Sequence, residues 1–178
     1  MDKVLIKEIF DTDFDLGCSM SDLGLFKIRR ASRGIVVRGD KIALLKVAKY
    51  NYHKFPGGGV EKSETIEDAF KREVQEEVGC SCEIVDQGGI IIEWRDQFKL
   101  LQISYVFLAN VLGEIGPNKL EPDEIAEGYK LDWVPFNSVL EALENSKPTD
   151  YEGKFIILRD KSIFEFYKDK LAEFDKVC

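Results

Sequence analysis

Glu73, Glu76 and Glu77 crowd the last two turns of a predicted helix, just downstream of three consecutive glycines, Gly57, Gly58 and Gly59. Carboxylates spaced i, i+3 and i+4 converge on one point of a helix surface, and hard divalent cations take oxygen ligands. The helix is read over residues 65–78, with Thr65 and Asp68 as a capping box and Gly79 where a left-handed C-terminal residue belongs. Winding it at roughly 100° per residue puts Ile66, Ala69 and Phe70 on one stripe, and Glu73 and Glu77 fall in the middle of that stripe with Glu76 flanking it. Carboxylates near a helix C-terminus oppose the macrodipole at about 0.3–1 kcal/mol each, and like charges at i,i+4 add to that cost. Arg72 is a single local cation among these acids, so a bound cation would supply the missing charge. Acidic runs on helices are commonly solvated faces. The glycines argue otherwise here, because residues without Cβ let a backbone approach a ligand or present its carbonyls. On this reading Glu77→Gln should be at least as stable as wild type in the absence of metal.

The fixed positions run Gly58, Glu64, Arg72, Glu73, Val74, Glu76, Glu77 and Gly79, with five residues between the first two and seven before Arg72. This resembles the Nudix box, G-x5-E-x7-R-E-U-x-E-E-x-G-U with U a bulky aliphatic; the last position departs, as Cys80. A small hydrophobe there changes nothing chemical. The flanking strands and Trp133-Val134-Pro135 also look like the family, so the resemblance runs over most of residues 30–145. It implies an α/β protein, a Nudix-type α/β/α sandwich with a mixed β-sheet between helices. It also implies a Mg²⁺-dependent pyrophosphohydrolase, with Mn²⁺ able to substitute, that cleaves the phosphoanhydride of a nucleoside diphosphate linked to another group X.

By resemblance, Glu73 and Glu77 are the first metal ligands and Glu76 the next, with the Gly58 carbonyl closing the shell. Arg72 then holds a glutamate through a bidentate pair, and Glu64 does similar supporting work. The general base comes either from a box glutamate or from "EPDEIAEGYKLDW", where Glu127 and Glu124 are candidates and Glu127, six residues before Trp133, is placed ahead. Lys46, Lys49 and Arg95 are candidates for the substrate phosphates. His53, at a position where the family often has Trp, is read as a packing or base-stacking residue. Tyr52, Trp94 and Tyr105 are further stacking candidates. The signatures of ADP-ribose and coenzyme A subfamilies are missing from the sequence, and damaged triphosphates, dinucleotides and nucleotide sugars stay open. Two other readings remain: a Nudix-fold nucleotide sensor without turnover, and an isomerase of the isopentenyl diphosphate type, which would need a catalytic Cys and Glu pair.

The elements that must position these groups follow from pattern. "GIVVRGDKIALL" reads as a hairpin turning at Gly39-Asp40, "AKYNYHKFPGGG" as a loop, and "GGIIIEWRDQFKLLQISYVFLANV" as two strands. A strand follows at 129–134, then a short helix "NSVLEALEN" capped by Asn137 or Ser138. Ile156, Ile163, Tyr167, Leu171 and Phe174 recur at helical spacing in a final amphipathic helix. Residues 1–25 are assigned to an N-terminal extension and 26–178 to a single domain. The chain has 178 residues, 44% hydrophobic and 33% charged, enough for one full core. Its net charge of −8 argues against duplex nucleic acid or an anionic membrane as partner. The expected partner is a small-molecule nucleotide, for a monomer or homodimer. Cys18, Cys80, Cys82 and Cys178 show no zinc spacing, which fits reduced thiols in a cytoplasmic protein.

Overall fold

The computed structural model describes residues 4–16 and 25–174. Aliphatic residues alternate sides along three long strands, and this period decides the layers. On β2 (Lys27–Arg38), β3 (Lys41–Val47) and β7 (Leu100–Leu112), the residues Ile35, Val37, Ile42, Leu44, Val106 and Leu108 enter one core. Their neighbours Val36, Ala43, Phe107 and Ala109 enter another on the opposite face. Helix α1 (Ile66–Glu77) closes the second core with Phe70 and Val74. Helices α3 (Phe136–Glu144) and α4 (Tyr151–Phe174) close the first with Val139, Leu143, Phe155, Ile163, Tyr167 and Leu171. The result is a mixed sheet between helices.

The strand order is β1-β6-β7-β2-β3-β4, with β5 added to β2 and β8 to β3. Here β1 is Val4–Phe10, β4 Tyr52–Lys54, β5 Gly57–Gly59, β6 Ser81–Arg95 and β8 Tyr129–Pro135. Val4–Phe10, in the segment read as an extension, pairs in parallel with β6 at the sheet edge. After the turn at Gly39-Asp40, β3 pairs with β2 only at Val37↔Ile42 and Arg38↔Lys41, then departs to pair fully with β8. The space that opens along β2 is filled by β5, whose three residues are all glycine. That divergence places a cavity where α1, β2 and β4 meet.

Three local expectations need correction. The segment read as a loop at 48–59 carries β4 and β5, too short to show a period. The downstream acidic loop contains a helix, α2 (Pro122–Glu127), with a Glu121/Glu124 capping box, Pro122 in its first turn and Gly128 at φ +72°. Helix α3 starts earlier than expected, with Pro135 at its N-cap in place of Asn137 or Ser138 and no side-chain cap, while Ser138 Oγ donates to Asn137 Oδ1. The side chain of Phe174, and Cys18 and Cys178, lie outside the described residues.

Candidate active site

Gly57 has φ +135°, a conformation that favours glycine, and its peptide is gripped from both sides of the sheet. Its N–H donates to Glu77 Oε2 at 2.7 Å, and its carbonyl accepts from Arg33 Nη1 at 3.0 Å. A Cβ on Gly58 would lie 2.3 Å from Glu73 Oε1, so only glycine lets that carboxylate rest against the strand. The Thr65 cap is present, accepting from the Asp68 N–H at 3.1 Å, and fixes where the helix starts and hence which face these acids occupy.

The charge that the helix seemed to lack is partly supplied from β4. Lys54 Nζ lies 2.9 Å from Glu77 Oε1, and both side chains are buried, at 8% and 1% exposure. Burial pushes the Glu77 carboxyl up even with Lys54 beside it. Burial would lower the Lys54 ammonium, but Glu77 outweighs it and raises that group. The Nζ also sits 4.7 Å from the centre of the Tyr129 ring, a cation–π contact. Lys54 did not stand out in the sequence because it lies far along the chain from the helix.

Arg72 supplies the rest. Its Nε and Nη2 form a fork on Glu64 at 3.2 and 2.9 Å, and Nη1 donates to Glu73 and Glu76, each at 2.9 Å. Nη2 also reaches the Gly59 carbonyl at 3.0 Å, tying the helix to the glycine strand. Hydrogen bonding from Arg72 holds the Glu64 carboxyl below its ordinary value. Burial, then the neighbouring Glu77 charge, push Glu73 up against the pull of Arg72. With the acids held by these cations, no three His, Cys, Asp or Glu side chains converge on one point among the described residues.

A cavity of 620 Å³ opens beside this cluster. Gly58 and Glu73 form one wall, and Glu124 and Glu127 of α2 stand over it. Arg72, Glu64, Glu76 and Glu77 do not line it. Glu124 is pushed up first by burial and also by Glu73, and it interacts with Glu77. Burial raises Glu127 too, but its main charged neighbour is Lys49. The structure thus sets Glu124, the residue placed second from the sequence, closer to the helix acids. Of the basic candidates, Arg95 lines the cavity, whereas Lys46, Lys49 and His53 do not. Strand alternation explains this: His53 pairs with Lys46 on the face away from Lys54, and its Nδ1 lies 3.3 Å from Ser146 Oγ. Tyr52 also lines the cavity, while Trp94 donates to Glu8 at 2.6 Å and Tyr105 packs under α1.

Arg29 and Arg33 on β2 also line the cavity, and neither stood out in the sequence. Arg29 belongs to a polar row across three strands, because it and Glu93 of β6 both pair with Gln102 of β7. Glu93 is fully buried there. It accepts from Arg95 Nη2 at 2.9 Å and from Gln102, with Ser104 Oγ at 3.4 Å and Arg159 Nη1 at 3.8 Å. Burial alone would raise its pKa, but Arg95, Arg159 and Arg33 hold it down to about 2, from 4.5. A carboxyl depressed in the folded state contributes stability that is complete above its unfolded pKa and lost as pH falls through the folded one. Glu93 should therefore cost the protein about 3 kcal/mol between pH ~4.5 and pH ~2. Urea titrations across that window should show this loss, and Glu93→Gln, destabilised at neutral pH, should lose correspondingly less on acidification.

The profile of the NUDIX domain matches residues 28–153. A Caenorhabditis elegans protein described as nudix hydrolase 1 is 37% identical over 87 residues, which span 47% of this chain but only 22% of that relative's length. Among solved structures, a NUDIX hydrolase from Nitrosomonas europaea superposes with a TM-score of 0.62 at 18% identity, over 81% of this chain and 90% of the other. The MutT protein of Bacillus halodurans superposes with a TM-score of 0.51 at 29% identity, over 73% and 80%. The matched segment runs from β2 through the glycine strand, α1 and α2 to the start of α4, and by that match the chain belongs to the NUDIX family.

Proposed function

We propose that this chain is a divalent-metal-dependent pyrophosphohydrolase that cleaves the phosphoanhydride of a nucleoside diphosphate linked to a group X. The observation that carries the reading is the glycine cradle: Glu73 rests where a Gly58 side chain would be, at the wall of a 620 Å³ cavity. The donors that would hold a cation, Glu73, Glu76, Glu77 and the Gly58 carbonyl, are all oxygen, which suits a hard cation such as Mg²⁺ or Mn²⁺ once the acids turn from Arg72 and Lys54 toward it. When bound, such a cation neutralises phosphate charge and acidifies a water.

The chain's own groups do the remaining work. Arg72 gathers Glu64, Glu73 and Glu76 into one array and binds it to Gly59. Glu124, above the wall, accepts the proton of the attacking water, and Arg95 with its neighbours on the sheet meets phosphate oxygens. Tyr50, Phe98 and Tyr151 at the cavity offer faces for a base. The isomerase reading is disfavoured because Cys80 and Cys82 are buried in the α1 core, where burial raises both thiols, and no cysteine lines the cavity among the described residues.

The test is phosphate release from nucleoside triphosphates, dinucleoside polyphosphates and nucleotide sugars, with and without Mg²⁺. Metal-dependent turnover of at least one class is expected. Undiminished turnover in excess EDTA would overturn the mechanism, and tight binding without turnover would favour a sensor.

A further inference from the structure

We infer that Lys54 is an exchangeable counter-ion of the site: it neutralises Glu77 in the metal-free protein, a divalent cation displaces it, and this competition sets how tightly the cation is held. That the cation then serves hydrolysis rests on the reading above; the exchange at Glu77 does not.

Lysine is rarely buried without a partner, because its ammonium is strongly hydrated and its long stem ordinarily carries that head to water. Lys54 is buried nonetheless. Alternation along β4 turns Tyr52 and Lys54 inward with His53 between them on the other side, and the next residue, Phe55, is anchored by its N–H to Asp160 Oδ2 at 2.7 Å. The backbone at Lys54 is thus fixed, and the part that can move is the flexible four-carbon stem. Lys54 lines the cavity, as does Tyr129, whereas Glu77 does not. One oxygen of Glu77, Oε2, is taken by the Gly57 N–H at 2.7 Å, so the oxygen that a cation would share is the Oε1 that Lys54 holds at 2.9 Å. An ammonium and a divalent cation on one carboxylate oxygen repel each other, and binding of one weakens the other.

Arg72 is less free to leave. It hydrogen-bonds Glu64, Glu73, Glu76 and the Gly59 carbonyl at once, a planar fork spread over α1 and the glycine strand. Lys54 is instead a point charge on a flexible stem, and the Tyr129 ring, 4.7 Å from its Nζ, keeps the ammonium partnered when the carboxylate is given up. The Lys54 charge also acts on Glu73, Glu124 and Glu127, so it offsets acids on both sides of the space that a cation would enter. A neutral side chain at position 54 leaves the Glu77 charge to the incoming cation.

Mn²⁺ alone, without nucleotide, is the probe, followed by the loss of its free-ion spin resonance signal and by calorimetry. Lys54→Met should bind Mn²⁺ about tenfold or more tightly than wild type, and Lys54→Gln, whose amide still donates to Glu77, should gain by a smaller factor. The gain should run through the shared oxygen: in a Glu77→Gln background, Lys54→Met should restore none of the affinity lost with the carboxylate. Urea unfolding of each variant with and without Mn²⁺ shows which are folded and should rank them in the same order by the stabilisation that the metal gives. If Lys54→Met does not fold, Lys54→Gln and the double variant, in which neither charge of the pair remains, carry the comparison. Unchanged or weaker Mn²⁺ binding on neutralising Lys54 overturns the exchange and makes the lysine a holder of Glu77. An equal gain in the Glu77→Gln background also overturns it, leaving a charge that acts from a distance. Tighter Mn²⁺ binding in the variants, with no metal-dependent hydrolysis of any nucleotide by wild type, would remove the hydrolase reading and leave the exchange standing. Metal-dependent hydrolysis with a Mn²⁺ affinity indifferent to Lys54 would do the reverse.

Discussion

Glu77→Gln should destabilise the metal-free protein by about 3 kcal/mol, the scale expected when one partner of a buried ion pair is removed. From the helix alone the opposite sign follows, since the substitution relieves an i,i+4 repulsion and an unfavourable dipole contact worth at most about 1 kcal/mol. The buried partner decides which effect wins. Lys54 lies 2.9 Å from Glu77 at 8% exposure, and the neutral variant leaves that ammonium without its counter-ion. The amide oxygen of the substituted side chain can still accept from Gly57, whose 2.7 Å bond uses the other oxygen of Glu77, so the loss reports mainly on the charge. Lys54→Met should be comparably destabilising, because it abandons a carboxylate at 1% exposure. The double variant Lys54→Met with Glu77→Gln should recover much of the sum, as removing both charges removes the desolvation problem. Urea unfolding in EDTA measures all four proteins. A Glu77→Gln protein as stable as wild type would mean that the pair is not formed in the metal-free state, and the sign expected from the helix alone would stand.

That reversal shows where the sequence was legible. The fixed Gly, Glu and Arg spacings located α1, its Thr65 cap and the acidic face, because each depends on neighbours within a few turns. The hairpin at Gly39-Asp40 was legible for the same reason. Lys54 and Arg33 were not, since their partners Glu77 and Gly57 are 23 and 24 residues away and meet them only once β3 diverges from β2. Alternating polar residues such as Arg29 and Arg33 read in one dimension as a solvated strand face. Here that face continues the surface that α4 covers further along, and its polar end floors a cavity. One signal was present and passed over: Pro122 and Gly128 bracket α2 as helix start and stop, and a helix there constrains which acid reaches the site.

The choice of acid leads to the second large effect: Glu124→Gln should lower turnover by about a hundredfold or more with little change in KM, and Glu127→Gln by much less. The two acids lie in one short helix, yet their surroundings differ. Glu124 is raised by burial and by Glu73, and it interacts with Glu77, so its carboxylate is electrostatically part of the α1 cluster. Its Oε2 also accepts from the Glu121 N–H at 2.8 Å, a capping-box bond that holds the side chain toward the start of α2. Glu127 faces Lys49, whose backbone N–H donates to the Glu127 carbonyl at 3.0 Å, and the charges that act on it are Lys49, Glu152, Asp150 and Lys54, not the α1 acids. A base acts through the position and affinity of its proton-accepting oxygen, and a raised carboxyl beside other acids is the better acceptor near neutral pH. Losing the capping bond would confound the result, but Gln can still accept at that position, so Glu124→Gln preserves the cap. The pH–rate profile separates the roles: removal of the base should abolish the acidic limb of kcat, whereas removal of a merely structural acid should leave its midpoint in place. A Glu124→Gln enzyme that keeps both its rate and its acidic limb, with Glu127→Gln losing them, would restore the order suggested by the spacing to Trp133. Wild-type behaviour in both would move the base to Glu73 or Glu76 on α1.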